Sequence, residues 1–376
     1  MRFAEIIGND DIIADLRAMV DSDKIPHAML ISGPSGLGKM MAARAFISYL
    51  NCENRIDGDS CGVCPACRRI DAGNNPDIHY VYPVIKKTAG KPAFSTDFID
   101  QWKLFIKDSP YMDTTKWPVM IEAGTKRPVI YVDEADAISA KAALSTYADR
   151  YKVFVIWLPE RMNPEASNKL LKLIEEPYDD TLFIFISNNP ELLLPTVASR
   201  LRSLRMNPQP ENTIVSALLK VGVSESSARQ AARMAEGIPG KAFESLSGNG
   251  ESAEFHRYFM DCMRNAYARK IDELKKTAET LSAFSREKAI RFLEYLARMT
   301  RENFIANLSI SPLNNMTPDE ESFSTRFAPF IHSGNVEKIV AETETAKRDI
   351  SRNANAKLVW FDFLLRLMLH LRSPKN

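Results

Sequence analysis

The residues best suited to chemistry form a glycine-rich stretch near the start of the 376-residue chain. An apolar run precedes this stretch and a helix-prone run follows it, which is the strand–turn–helix context of a phosphate-binding loop. Backbone N–H groups of such a loop and the N-terminus of the next helix bind phosphate oxygens, and a lysine reaches the outer phosphates. The sequence therefore predicts a P-loop fold with a candidate ATP- or ADP-binding loop. This segment, the phosphate loop, consists of Gly33, Pro34, Ser35, Gly36, Leu37, Gly38, Lys39 and Met40.

The last position of the phosphate loop departs from the usual pattern. A serine or threonine there supplies a hydroxyl oxygen to Mg²⁺, whereas the side chain of Met40 has no oxygen. We therefore expect a loop that keeps its shape and loses part of its metal chemistry, which leaves open whether a nucleotide binds.

Four cysteines follow the helix-prone run at the spacing C-x8-C-x2-C-x2-C. A gap of two residues lets two thiolates reach one metal ion, and four thiolates complete a tetrahedral zinc site. Such a closed site has no open coordination position, so the zinc should be structural. The alternative is four unligated thiols. The predicted ligands are Cys52, Cys61, Cys64 and Cys67, while the distant Cys262 is expected to be a buried apolar residue.

Two apolar runs compete for the role of a Walker B strand, which ends in acidic residues that order Mg²⁺ and polarise the attacking water. The first run ends in Asp133 and Glu134, and the second spans residues 153–158 and is followed by Glu160. An active ATPase that uses Lys39 with Asp133 and Glu134 is therefore one open alternative. The test is which of the two runs lies beside the strand that precedes the phosphate loop.

The composition is that of an ordinary globular protein, with 45% hydrophobic and 26% charged residues. A net charge of +1 gives no electrostatic basis for tight DNA binding by the isolated chain. Five cysteines in a chain of this length argue against a disulfide framework. We expect no secretory signal and no transmembrane span, and therefore a cytoplasmic protein without a membrane partner.

The sequence patterns predict that the chain has three parts, the first of which carries these motifs. A Pro-Gln-Pro sequence at 208–210 and a Gly-Asn-Gly sequence at 248–250 mark the boundaries. The fold class is an α/β P-loop core with a parallel sheet and a zinc-binding insert, then a small helical lid, then an all-α C-terminal domain. The predicted ranges are 1–207 for the core, with a zinc module at about 51–70 and an insert at about 85–150, 208–248 for the lid, and 249–376 for the C-terminal domain.

Four motifs in order resemble the bacterial clamp-loader subunits of the AAA+ superfamily. They are the phosphate loop, the four cysteines, the run Asn-Lys-Leu-Leu-Lys-Leu-Ile-Glu-Glu-Pro at 168–177 and the run Leu-Pro-Thr-Val-Ala-Ser-Arg at 194–200. The likeness is greatest to the delta-prime subunits of DNA polymerase III, which are related to the gamma/tau subunits. It covers roughly residues 3–80 and 150–245.

The resemblance implies a register for the Walker B segment. In motor subunits of this family, the Walker B aspartate lies eleven residues before the position of Asn168, which is Trp157 here. The glutamate position is Leu158, and only Glu160 retains an acid. Asp133 would then belong to the start of a helix, near its cap. The resemblance therefore implies a subunit that does not hydrolyse ATP itself.

The resemblance also implies roles for residues near the ends of later elements. Arg200 matches an arginine that acts in trans on the nucleotide of a neighbouring subunit, and Asn188 matches a sensor position. The implied function is that of a non-motor subunit of the DNA polymerase III holoenzyme. Its partners would be gamma/tau-like motor subunits, a delta-like subunit, the sliding clamp and, through the complex, primed DNA. Two alternatives stay open: Arg200 as a solvated surface charge, and the chain as a zinc-containing nucleic-acid-binding protein.

Overall fold

A computed structural model of the chain describes residues 1–88, 90–124, 126–246, 251–308 and 316–374. The chain divides into two compact units, Met1–Phe243 and Glu244–Asn376. The first unit includes the predicted lid as far as Phe243. The predicted boundary at 248–250 lies outside the described residues.

The first unit is built on a five-stranded sheet whose strands are all parallel. The order across the sheet is β2-β3-β4-β1-β5. The central strands are buried along their whole length, because helices cover both faces of a parallel sheet and such strands are continuous apolar runs. This confirms the predicted α/β core. The strands are β1 (Ala28–Ser32), β2 (Ile78–Val81), β3 (Lys152–Trp157), β4 (Thr181–Ser187) and β5 (Arg202–Arg205).

Helices on the two faces of the sheet bury two separate apolar clusters. Successive residues of β3 alternate between them, since side chains of a strand point to opposite faces. Val155 and Trp157 pack with α1, α2 and the insert, whereas Phe154 and Ile156 pack with α6 and α7. The helices are α1 (Asp10–Asp21), α2 (Lys39–Asn51), α3 (Pro65–Asp71), α4 (Ile99–Asp108), α5 (Lys116–Met120), α6 (Val132–Ala142), α7 (Pro164–Glu175), α8 (Pro195–Ala198), α9 (Glu211–Lys220), α10 (Glu225–Met234) and α11 (Pro239–Leu246).

Helices α4 and α5 of the insert lie on the face of the sheet that carries α2, whereas α6 lies on the opposite face. At its base, Val84 and Val129 exchange both backbone hydrogen bonds, at 3.0 and 2.9 Å. Apolar residues recur at helical spacing in residues 97–107, a pattern that predicts a helix with one buried face. The structure has this helix as α4, with Trp102 and Phe105 buried.

The topology separates the two candidate Walker B runs. The run at 153–158 lies in the sheet as β3, whereas Asp133 and Glu134 lie in the first turn of α6. The expectation that one of these runs would lie beside β1 is wrong, because both edges of β1 are hydrogen-bonded, to β4 and to β5. Helix α6 begins where expected, with Asp133 in its first turn, two residues after the N-cap residue Tyr131, and no side chain caps the helix.

The second unit contains no strand among its described residues. Its helices enclose an apolar cluster that includes Trp360. The last helix carries polar residues at four-residue spacing: Arg366 pairs with Asp362 at 2.8 Å, and His370 lies 3.4 Å from Glu342. Across the described parts of both units, no helix is both long enough and apolar enough to cross a membrane. The helices are α12 (Glu251–Tyr267), α13 (Ile271–Ser282), α14 (Arg286–Asn307), α15 (Pro318–Phe327), α16 (Val336–Ser351) and α17 (Ala356–His370).

Candidate nucleotide, metal and interface sites

The phosphate loop lies at the carboxyl end of β1. The strand ends at Ser32, and α2 begins at Lys39. Gly38 is the N-cap residue of α2 and has φ of 88°, a left-handed conformation that glycine adopts without strain. The predicted strand–turn–helix context is therefore present.

Lys39 is turned into the phosphate loop rather than towards solvent. Its ammonium donates hydrogen bonds to the carbonyl oxygens of Gly33 and Pro34, both at 2.7 Å. Only 5% of the residue is exposed. Burial lowers the pKa of Lys39 to about 7, although the negative charge of Glu160 acts in the opposite direction. The lysine that the sequence predicts to bind phosphate is therefore bound to the backbone of its own loop.

Residues from the insert and the lid contact the phosphate loop directly. The backbone N–H of Gly240 donates to the carbonyl oxygen of Gly36 at 2.9 Å. A Cβ atom on Gly36 would lie 2.6 Å from Cγ2 of Ile238, and one on Gly240 would lie 2.9 Å from Cβ of Tyr111. A Cβ on Gly38 would lie 3.7 Å from the ring of Tyr111. At Gly36 and Gly240, only glycine allows these segments to approach so closely.

Tyr111 joins the insert to the lid at this contact. Its ring stacks on Phe243 of α11, with centroids 5.4 Å apart. Burial raises the pKa of the Tyr111 hydroxyl. Sequence reasoning missed Tyr111, because it lies outside any periodic pattern. The glycines at 237 and 240 were the available signal of a close backbone approach.

The two positions that the resemblance assigns to Walker B acids have an apolar role. Trp157 is buried among aromatic side chains of the insert, with ring centroids 5.4 Å from Trp102, 5.5 Å from Phe105 and 6.3 Å from Trp117. Leu158 is buried in the same cluster. Neither position offers an oxygen to a metal ion or to water.

Glu160 is the one acid that remains near the end of β3. Its Oε1 accepts hydrogen bonds from the backbone N–H groups of Asn188, at 3.0 Å, and Asn189, at 3.3 Å. Its Oε2 is buried without a hydrogen-bond partner in the described part of the chain. The predicted sensor residue Asn188 directly follows β4, so this carboxylate joins the ends of β3 and β4.

The four predicted zinc ligands lie together after α2. The sulfur atoms of Cys52, Cys61, Cys64 and Cys67 are all within 4.8 Å of one another. Four thiolates at the Zn–S distance of about 2.3 Å stand about 3.8 Å apart in a tetrahedron, so the cluster fits one ion. Backbone N–H groups donate to three of the sulfurs, at 3.2, 3.3 and 3.5 Å. This cluster is compatible with a structural zinc, whereas Cys262 is buried far from it in sequence, in the second unit.

Arg200 lies just after α8 on the surface. Its Nε is 2.5 Å from Oε1 of Glu175, the last residue of α7. Its Nη1 donates to the carbonyl oxygen of Thr196 at 2.7 Å. The side chain is 39% exposed, so it is accessible yet held by two partners.

Comparison with known proteins supports the family resemblance inferred from the four motifs. A family model described as "DNA polymerase III, delta subunit" matches residues 8–210, more than half of the chain. The chain is 28% identical over 239 residues to DNA polymerase III subunit delta' of Bacillus subtilis, which covers 62% of this chain and 58% of that protein.

Two further relatives show how the match extends. DNA polymerase III subunit delta' of Escherichia coli is 24% identical over 349 residues, covering 92% of this chain and 90% of that protein. DNA polymerase III subunit gamma/tau of Mycobacterium bovis is 27% identical over 219 residues, covering 58% of this chain. That match spans only 31% of the gamma/tau protein.

Proposed function

Because the chain belongs to the DNA polymerase III delta subunit family, we propose that it is a cytoplasmic, non-motor subunit of a clamp loader. In this role it helps to place a sliding clamp on primed DNA. It assembles with motor subunits similar to gamma/tau and with a delta-like subunit. The similarity to both delta' and gamma/tau proteins supports a ring of related subunits in which this chain is one member.

The non-motor assignment is supported by the side chains at the three positions that would otherwise handle Mg²⁺ and water. Met40 has no hydroxyl for the metal, and Trp157 and Leu158 are buried apolar residues. Nucleotide hydrolysis at a P-loop depends on a metal held by such oxygens and on a positioned water. The chain therefore contributes to an ATP-driven machine through a neighbour rather than through a hydrolytic site of its own.

The same proposal includes a phosphate loop that is closed to nucleotide. Three contacts support closure: Lys39 is bound to the loop carbonyls, Gly240 to Gly36, and Tyr111 packs beside Gly38. A phosphate would have to displace these groups to reach the loop. ATP or ADP therefore binds weakly, and zinc held by the four cysteines is the chain's structural cofactor.

The residue that acts on the neighbour is Arg200. Its guanidinium is accessible at the surface, and its charge is permanent. In the transition state of phosphoryl transfer, negative charge spreads over the γ-phosphate oxygens, and a fixed cation stabilises that charge. An arginine supplied in trans contributes on the order of 10³–10⁵ in rate. In a ring with several ATP sites, only the site facing this chain would depend on Arg200.

The experiment is steady-state ATP hydrolysis and clamp loading by the reconstituted complex, with assembly checked by gel filtration. Arg200→Ala should leave assembly intact and lower both DNA-stimulated hydrolysis and loading. Arg200→Lys should restore little of the ATP hydrolysis and clamp loading, since the point charge of lysine does not reproduce the two-pronged geometry of a guanidinium. Arg202→Ala is the matched control, because it removes an exposed arginine two residues away. Unchanged hydrolysis and loading by an assembled Arg200→Ala complex would remove the trans role.

A further inference from the structure

We propose that Glu175 is a positioning residue that orients the guanidinium of Arg200 towards the neighbouring subunit. The inference rests on the proposed function of Arg200 and adds a second residue to it. Glu175 lies 25 positions earlier in the sequence, at the end of α7, and no motif in the sequence connects the two side chains.

The contacts of the guanidinium within the chain are made through Nε and Nη1. Nε lies 2.5 Å from Oε1 of Glu175, and Nη1 donates to the carbonyl oxygen of Thr196 at 2.7 Å and to Oγ of Ser199 at 3.4 Å. Among the described residues, Nη2 donates no hydrogen bond. The N–H groups of Nη2 are therefore the ones available to an acceptor outside the chain, such as a phosphate oxygen.

The backbone on both sides of this pair is anchored in the same apolar cluster. Ile174, next to Glu175, is fully buried there, and Val197 and Leu201 on either side of Arg200 are also buried. Pro195 lies in the first turn of α8, where its fixed φ suits the start of a helix. Buried neighbours therefore fix the backbone positions of both residues, and the ion pair fixes the direction of the Arg200 side chain.

The pair is too exposed to matter much for folding. The Arg200 and Glu175 side chains are 39% and 45% exposed, and exposed ion pairs contribute little to stability. The ion pair instead favours the contact between Arg200 and a phosphate, because an arginine that is already held in one geometry loses less conformational freedom on binding. The conformational free energy needed to immobilise such a side chain corresponds to roughly a 2- to 10-fold change in an equilibrium or rate constant.

The test uses the reconstituted complex and the adjacent exposed glutamate as a control. Glu175→Ala should lower the DNA-stimulated kcat for ATP hydrolysis roughly 2- to 10-fold, with unchanged assembly and thermal stability, whereas Glu176→Ala should leave kcat unchanged. Glu175→Gln should recover part of the loss, because its amide oxygen keeps a polar partner beside Nε. In an Arg200→Ala background, Glu175→Ala should have no further effect, since residues that act as one unit are not additive.

The outcomes separate this inference from the function it rests on. If Arg200→Ala lowers hydrolysis but Glu175→Ala does not, the positioning role is wrong and the trans role stands. If Glu175→Ala lowers hydrolysis equally in the wild-type and Arg200→Ala backgrounds, Glu175 acts by another route and the inference is overturned. If Arg200→Ala has no effect, both proposals fail.

Discussion

The indole rings of Trp157 and Trp102 lie 5.4 Å apart and join the end of β3 to the first long helix of the insert. Trp102 in turn stacks on Tyr82 at 3.9 Å and contacts Trp117 edge to face at 5.3 Å. Aromatic side chains bury large apolar areas, so a cluster of this kind is a major part of a core. The position that the family resemblance assigns to a metal-binding aspartate is therefore used to attach the insert.

This packing predicts that ATPase activity is not recovered by repairing the phosphate loop. The isolated chain should not hydrolyse ATP above background, and Met40→Thr should not change this, because Trp157 and Leu158 still supply no oxygen to metal or water. A coupled ADP-release assay measures the turnover. Asp133→Asn is the control, since Asp133 lies in α6. Turnover that disappears in Asp133→Asn would show that the acids of α6 serve an active site after all.

The contacts of Tyr111 predict a variant with improved nucleotide binding. Tyr111→Ala removes the ring that lies beside Gly38 and stacks on Phe243. Apparent affinity falls with the fraction of molecules in the binding-competent state, so opening the loop should tighten ADP binding at least about tenfold. Titration of a fluorescent ADP analogue measures the change, and Tyr111→Phe, which keeps the stacked ring, is the control. Equally tight binding by wild type and Tyr111→Ala would mean that Tyr111 does not close the loop.

The cysteine cluster predicts one bound zinc per chain. Elemental analysis of freshly purified, reduced protein should find zinc in the wild type and much less in Cys64→Ser, because three thiolates leave the tetrahedral site incomplete. Cys262→Ala should retain the metal, since that cysteine is buried in the second unit. Limited proteolysis should cut the zinc module of Cys64→Ser faster than that of the wild type. Wild-type protein free of zinc would contradict the site.

The environment of His79 predicts that the folded protein loses stability in mild acid. Its burial and the positive charges of Lys141 and Lys152 lower its pKa to about 4, compared with about 6.5 in an unfolded chain. Folding therefore favours the neutral imidazole, and its contribution is fully present above pH of about 6.5 and lost as the pH falls towards 4. At pH of about 5 the loss should be about 2 kcal/mol in the free energy of unfolding.

His79→Phe is the variant that isolates this effect. It keeps an aromatic ring against Phe154, whose centroid lies 4.9 Å from the imidazole, and it removes the titrating group. Denaturant unfolding near neutral pH and in mild acid should show a smaller acid loss in the variant than in the wild type. Equal losses would mean that other groups cause the acid dependence.

Much of the fold was predictable because its causes are local. An apolar run, glycines and a helix-forming run were enough to predict β1, the phosphate loop and α2, and the spacing of four cysteines was enough to predict their cluster. Helix α4 followed from the spacing of apolar residues, and Trp102, Phe105 and Ile106 form its buried face. The sheet position of β3 followed from an apolar run and from its distance to Asn168, a resemblance rather than a property of the run itself.

Other features depend on contacts between segments far apart in sequence, which no local pattern specifies. Local patterns do not reveal that β4 lies between β1 and β3, because strand order is decided by how the crossover helices pack. The same holds for Tyr111 beside Gly38, which depends on how the insert packs, and for Lys39, whose ammonium binds the carbonyl oxygens of Gly33 and Pro34. The sequence by itself determined which groups this protein has for phosphate, metal and a neighbour. The tertiary structure decided which of them are engaged within the chain, because only close packing brings Trp157 to the insert and Glu175 to Arg200.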